Sequence, residues 1–74
     1  MDHQLEAVGR QIRKLREDHG LSQEEFAAKA GLDRAYYGAV ERGKRNLSAR
    51  NLIKIAAALN VDVGALFPPI SDLR

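Results

Sequence analysis

Ser22-Gln-Glu-Glu-Phe-Ala-Ala-Lys-Ala-Gly-Leu-Asp-Arg-Ala-Tyr-Tyr-Gly-Ala-Val-Glu-Arg-Gly43 holds the pattern on which the fold turns. Ser22 with Glu25 three positions later is a capping box, in which hydroxyl and carboxylate each satisfy an otherwise unpaired backbone N–H. A helix begins there, with Phe26, Ala27 and Ala30 on its inner face. Gly31 stops it after about two turns, because glycine accepts the left-handed conformation of a helix C-cap. Asp33 caps a further helix that runs to about Arg42, where Gly43 halts it.

The same reading extends in both directions. Upstream, Leu5, Val8, Ile12 and Leu15 recur at three- and four-residue intervals, predicting a first helix over about residues 3 to 19 that ends at His19-Gly20. Downstream, Ser48 caps a fourth helix with Leu52, Ile55, Ala56 and Leu59 inward and Asn60 near its end. Asp62 caps a last short turn through Val63, Leu66 and Phe67, and Pro68-Pro69 is expected to close the folded part. The fold class is therefore all-α, five short helices without a strand. Two short helices joined at Gly31 form the helix-turn-helix pattern over about residues 22–42, although such pairs also occur in ordinary bundles.

A chain of 74 residues has room for one domain, expected over 1–74, with a small core. It contains no cysteine, which excludes disulfides and thiolate metal sites. His3 and His19 lack carboxylates at ligand spacing and read as solvated side chains, so neither metal nor cofactor is expected. No apolar run approaches the roughly 20 residues that span a bilayer, and the N-terminus is mixed-charge, which points to a soluble cytoplasmic protein. No nucleophile–base set, phosphate-cradling glycine loop or pair of carboxylates suggests an enzyme.

The net charge of +2 is unevenly spread. Between Lys29 and Lys54 seven basic residues face two acidic ones, a local +5 that leaves −3 elsewhere. A basic side on an otherwise acidic fold is the footprint of a nucleic-acid-binding module, whose cations neutralise phosphates and release counterions. On a wheel of about 100° per residue Tyr36, Tyr37 and Val40 form an inward stripe of the third helix, with Arg34, Ala35, Gly38 and Ala39 opposite. Arg34 suits guanine O6 and N7, and alanine suits a thymine methyl. Gly38 costs about 1 kcal/mol against alanine. Close approach to DNA and simple tolerance both account for it.

Ser22-Gln-Glu-Glu-Phe-Ala27, Gly31-Leu-Asp-Arg-Ala-Tyr-Tyr37, Val40-Glu-Arg-Gly43, Leu52-Ile-Lys-Ile-Ala56 and Ala58-Leu-Asn-Val61 together resemble the phage repressor and Cro type (Xre-like) of helix-turn-helix regulator. In size and layout the chain is most similar, within that family, to the controller proteins of restriction-modification systems. The resemblance implies a lambda-repressor-like domain with Arg34, Ala35, Tyr36 and Ala39 at base edges. It implies Gln23, Arg42, Lys44, Arg45, Asn46 and Ser48 at the DNA backbone. It also implies that Arg16 and Glu41 form a structural pair, the alternative being two unrelated surface charges. The small residues at 35, 38 and 39 depart from the family's usual polar positions, so recognition leans on Arg34, Tyr36 and DNA shape.

One helix reads only a few base pairs, so regulators of this kind act as two-fold dimers with recognition helices about 34 Å apart. The expected interface lies over about residues 60–74 and uses Val63, Leu66 and Phe67 with Ile53, and with Ile70 and Leu73 as further contributors. For Phe67 the alternative is a plug in the monomer core. The expected partners are double-stranded operator DNA, a second copy of the chain, and RNA polymerase, with no membrane and no small-molecule ligand. The expected function is transcriptional regulation on a short inverted repeat. The alternative is an antitoxin that also represses its own promoter.

Overall fold

The computed structural model describes residues 2–74; Met1, the first residue of the expected domain, lies outside the described residues. Its helices are α1 (His3–Asp18), α2 (Gln23–Ala30), α3 (Arg34–Glu41), α4 (Ala49–Leu59) and α5 (Ile70–Leu73), with a 3-10 turn at Val63–Leu66 between α4 and α5. There is no strand among the described residues.

Local chemistry sets the first four helix starts. Asp2 accepts from the Gln4 and Leu5 amides at 2.9 and 3.1 Å. Ser22 and Glu25 form the reciprocal capping box. Asp33 accepts from the Tyr36 amide at 2.9 Å, and Ser48 from the Asn51 amide at 3.1 Å. Each such cap contributes about 1 kcal/mol. Gly31 ends α2 at φ 71°, and Asn60 ends α4 at φ 56°, the conformation in which a short polar side chain replaces glycine at least cost.

Two expectations fail at the C-terminal end. Pro68-Pro69 does not close the folded part, because Pro69 stands at the N-cap of α5, where a fixed φ and a missing N–H are tolerated. Asp62 stands at the start of the 3-10 turn but makes no side-chain capping bond. The end segment is tied to α1 instead: His3 Nε2 lies 2.9 Å from the Asp72 carbonyl, and Gln4 Nε2 donates to the Leu73 carbonyl at 2.7 Å.

Tyr37, Phe26, Ile12, Ile55, Leu59, Leu66 and Val40 are the largest fully buried side chains. The rings of Phe26 and Tyr37 meet at 5.1 Å between centroids, tilted by 49°, a favourable aromatic geometry. Leu66 was expected at a dimer interface. Its accessible surface is 0% in the isolated chain, so it belongs to the core: the 3-10 turn carries it inward beneath α1 and α4.

Helix α1 also packs against α3, and Gly9 makes that approach possible. A Cβ at Gly9 would stand 2.5 Å from the Glu41 carbonyl oxygen and 2.6 Å from that of Val40. Backbone oxygens cannot swing aside. Gly9→Ala is therefore expected to lower stability by about 2 kcal/mol, the overpacking outweighing the helix-propensity gain. A thermal melt followed by circular dichroism checks it, with Gly64→Ala, whose Cβ would meet nothing within 4 Å, as the neutral control. Equal melting of the two variants would contradict the close-approach account.

Candidate nucleic-acid interface

The site begins with what holds α3 in place. Arg16 on α1 and Glu41 at the end of α3 form a buried ion pair, Nε to Oε2 at 2.7 Å and Nη2 to Oε1 at 3.1 Å. Gln23 Nε2 donates to Glu41 Oε1 at 2.9 Å, and the Tyr37 hydroxyl donates to Glu41 Oε2. Arg16 Nη1 meanwhile donates to the Leu21 carbonyl at 2.8 Å in the α1–α2 connection. One carboxylate thus joins α1, α2 and α3. Burial opposes its ionisation, but the bonds from Arg16, Tyr37 and Gln23 outweigh that and hold the Glu41 carboxyl below the usual carboxylate range. The same contact raises Arg16 above its ordinary value, while burial and the neighbouring carboxylate push the Tyr37 phenol well up.

This pairing has an electrostatic consequence outside the core. Glu41 is one of the two acids in the basic segment, and Arg16 neutralises it beneath the surface. Arg34, Arg42, Lys44, Arg45 and Arg50 are all exposed, so the outward charge of the segment is more positive than its formal balance.

Ala35 is exposed and Ala39 half-buried on α3. Arg34 is solvated, with Nε 3.9 Å from Glu24 Oε2, an exposed pair too weak to fix it. Tyr36, read both as part of the inward stripe and as a base-edge residue, is half-buried. Its hydroxyl donates to the Asn46 carbonyl at 2.9 Å and accepts from Asn51 Nδ2 at 3.1 Å. The Arg45 guanidinium lies 5.2 Å from its ring centroid. Tyr36 thereby fixes the loop that carries Arg45, Asn46 and Ser48, all of them exposed, against α3. Gly38 does not lie on an open outer face as the wheel suggests. It is buried, because α2 covers that side of α3 with Gln23. Gln23, expected at the DNA backbone, spends one amide hydrogen on Glu41.

At the C-terminal side, Ile53, Phe67 and Ile70 are the exposed large hydrophobics, with 60%, 40% and 66% of their surfaces accessible. Val63 is half-buried against the core. Phe67 also borders an apolar cavity of about 100 Å³ lined by Leu5, Val8, Asn46, Leu47 and Leu52.

Two short helices docked at Gly31, with caps at Ser22 and Asp33, are the geometry that the HTH_3 family, described as helix-turn-helix, encodes, and that family matches residues 12–66. The chain belongs to the HTH_3 helix-turn-helix family. This HTH_3 chain is similar to control protein C.MunI of a Mycoplasma species, 49% identical over 63 residues that cover 84% of this chain and 85% of that one. Its fold is similar to the crystal structure of the restriction-modification controller protein C.AhdI from Aeromonas hydrophila, with TM-score 0.83, 49% identity, and coverage of 85% and 96%. It is also similar to the master regulator for biofilm formation SinR in complex with DNA, with TM-score 0.77, 37% identity, and coverage of 80% and 95%.

Proposed function

We propose that this HTH_3 protein is a sequence-specific double-stranded DNA-binding transcriptional regulator of the restriction-modification controller type. It works in the cytoplasm as a homodimer on a short inverted repeat. The observation that carries the reading is the exposed basic surface of α3 and its following loop on a helix pair braced from beneath by Glu41. A phosphate backbone lined by such cations releases counterions and positions the protein, while α3 reads base edges.

In this arrangement Arg34 and Ala35 take the base edges together with Ala39 and the rim of Tyr36. Arg42, Lys44, Arg45, Asn46 and Ser48 take the backbone with Gln23. Ile53 and Phe67 form the dimer surface with Val63 at its margin. Selection of duplexes from a random pool is expected to return a palindromic consensus. Recovery of no enriched sequence would overturn the reading.

Arg34 has the most direct base-reading chemistry, since a guanidinium donates in parallel to guanine O6 and N7. Arg34→Ala is expected to weaken binding to the selected duplex by about 1–3 kcal/mol. Binding to an unrelated duplex should change much less. Fluorescence anisotropy on both duplexes measures this, and equal loss on both would move Arg34 to the phosphates.

A further inference from the structure

Arg34, Gly38 and Arg42 follow one another at four-residue intervals, so they form a stripe along α3. That stripe faces the start of α2, since Glu24 lies beside Arg34 and Gln23 beside Gly38. Gly38 is the gap between two arginines. A Cβ built there would stand 3.2 Å from Arg42 Nη1 and 3.5 Å from Gln23 Oε1. A guanidinium donor and an amide acceptor therefore both border the space that a Cβ would fill, the guanidinium closely enough that it would have to give way by a few tenths of an ångström.

Both side chains have reason to stay there. Gln23 is held at its other end by the bond to Glu41, and Glu41 is fixed by Arg16 and Tyr37. Arg42 takes part in none of the ion pairs found among the described residues, so no carboxylate draws it elsewhere. Its backbone is fixed as the C-cap of α3, with its N–H donating to the Gly38 carbonyl at 3.2 Å and the next N–H, of Gly43, donating to the Val40 carbonyl at 3.0 Å. A glycine in mid-helix is a standing cost in propensity, which a berth for a cation explains.

We propose that Gly38 is a positioning residue for DNA recognition: its missing Cβ leaves the berth in which Arg42 is held beside Gln23 and presented, already ordered, to the DNA backbone. Ordering the cation before association spares it the rotamer entropy that a free arginine loses on binding. Gly38 need not touch DNA. The inference rests on the DNA-binding reading, and it makes stability and affinity move in opposite directions on one substitution.

The test is a double-mutant cycle of Gly38→Ala and Arg42→Ala, with a fluorescein-labelled duplex selected by the wild-type protein as probe and melting followed in parallel. Gly38→Ala is expected to raise the melting temperature by a few degrees and weaken binding about tenfold. In the Arg42→Ala background the same substitution should cost less than about twofold, because the guanidinium it crowds is gone. Equal loss in both backgrounds would make Gly38 itself the point of close approach and overturn the proposal. A higher melting temperature with unchanged affinity would overturn it too, leaving a merely tolerated glycine. Arg42→Ala alone alters no core contact and must by itself lose about tenfold or more. If it binds normally the berth has no function, however Gly38→Ala folds. Failure of the wild-type protein to select any duplex would remove the DNA-binding reading and this inference together, whereas selection without coupling removes the inference alone.

Discussion

Arg16→Ala is expected to cost about 3–5 kcal/mol, because it leaves a buried carboxylate without its counter-charge. Domains of this size have roughly 4–11 kcal/mol of stability in all, so the variant should lose about half of it at the middle of both ranges. Tyr37 and Gln23 would still donate to Glu41, but neither carries charge, and Leu21 would lose the donor that closes the α1–α2 connection. Loss of the helical signal at moderate urea is the measurement, and an unaltered unfolding midpoint would show that the pair is not structural. Arg16→Met combined with Glu41→Leu should recover part of the loss, since an apolar pair removes the uncompensated charge while Tyr37 and Gln23 remain without their acceptor. Acid gives an independent check. The folded Glu41 carboxyl titrates below its ordinary value, so the stability it contributes is present above about pH 4.3 and is lost as pH falls through the folded value. The gap between wild type and Arg16→Ala should therefore narrow on acidification. Tyr37 acts at the other end: its phenol is raised, so its contribution is complete below about pH 10 and is lost as pH climbs toward the folded value.

What could be read from the sequence follows the range over which each interaction acts. Ser22 with Glu25, Asp33 and Ser48 announce helix starts because a cap bonds an amide only two or three residues away. The Lys29–Lys54 charge segment is visible for a similar reason, since one continuous stretch from the end of α2 through α3 and its following loop into α4 carries all of it. The pairing of Arg16 with Glu41 is legible through family resemblance and the place of Glu41 directly after core residue Val40, while spacing alone also allows two unrelated surface charges. Gly9 left no local trace at all. Its meaning lies in carbonyls of α3 that reach it only when α1 docks, and glycine inside an apolar helical pattern otherwise signals only reduced propensity. Gly38 misled the helical wheel because a wheel shows which way a residue faces but not what a neighbouring helix lays over it. The C-terminal turn failed for a third reason. The 3-10 segment ends at Leu66 and Phe67 follows on extended backbone, φ −107° and ψ 134°, so the two neighbours point away from each other where a continued helix would have set them on one outward surface.

That separation makes Leu66 and Phe67 a discriminating pair of neighbours. Phe67→Asp is expected to give a folded monomer, because 40% of the phenylalanine surface is already in water and, in the proposed dimer, a charge there would face the second copy. Sedimentation should show half the wild-type mass with an unchanged helical spectrum, and the selected inverted repeat should be bound roughly a hundredfold less tightly, since one half-site is then engaged at a time. Leu66→Asp should behave differently. It removes a fully buried leucine, worth about 2–5 kcal/mol, and places a carboxylate with no partner beneath α1 and α4, so loss of structure rather than loss of dimer is the expected result. A Leu66→Asp protein that stays helical and sediments as a monomer would return that residue to the interface. An unchanged mass for Phe67→Asp would remove Phe67 from it and leave Ile53 and Ile70, exposed at 60% and 66%, as the apolar surface still to be covered.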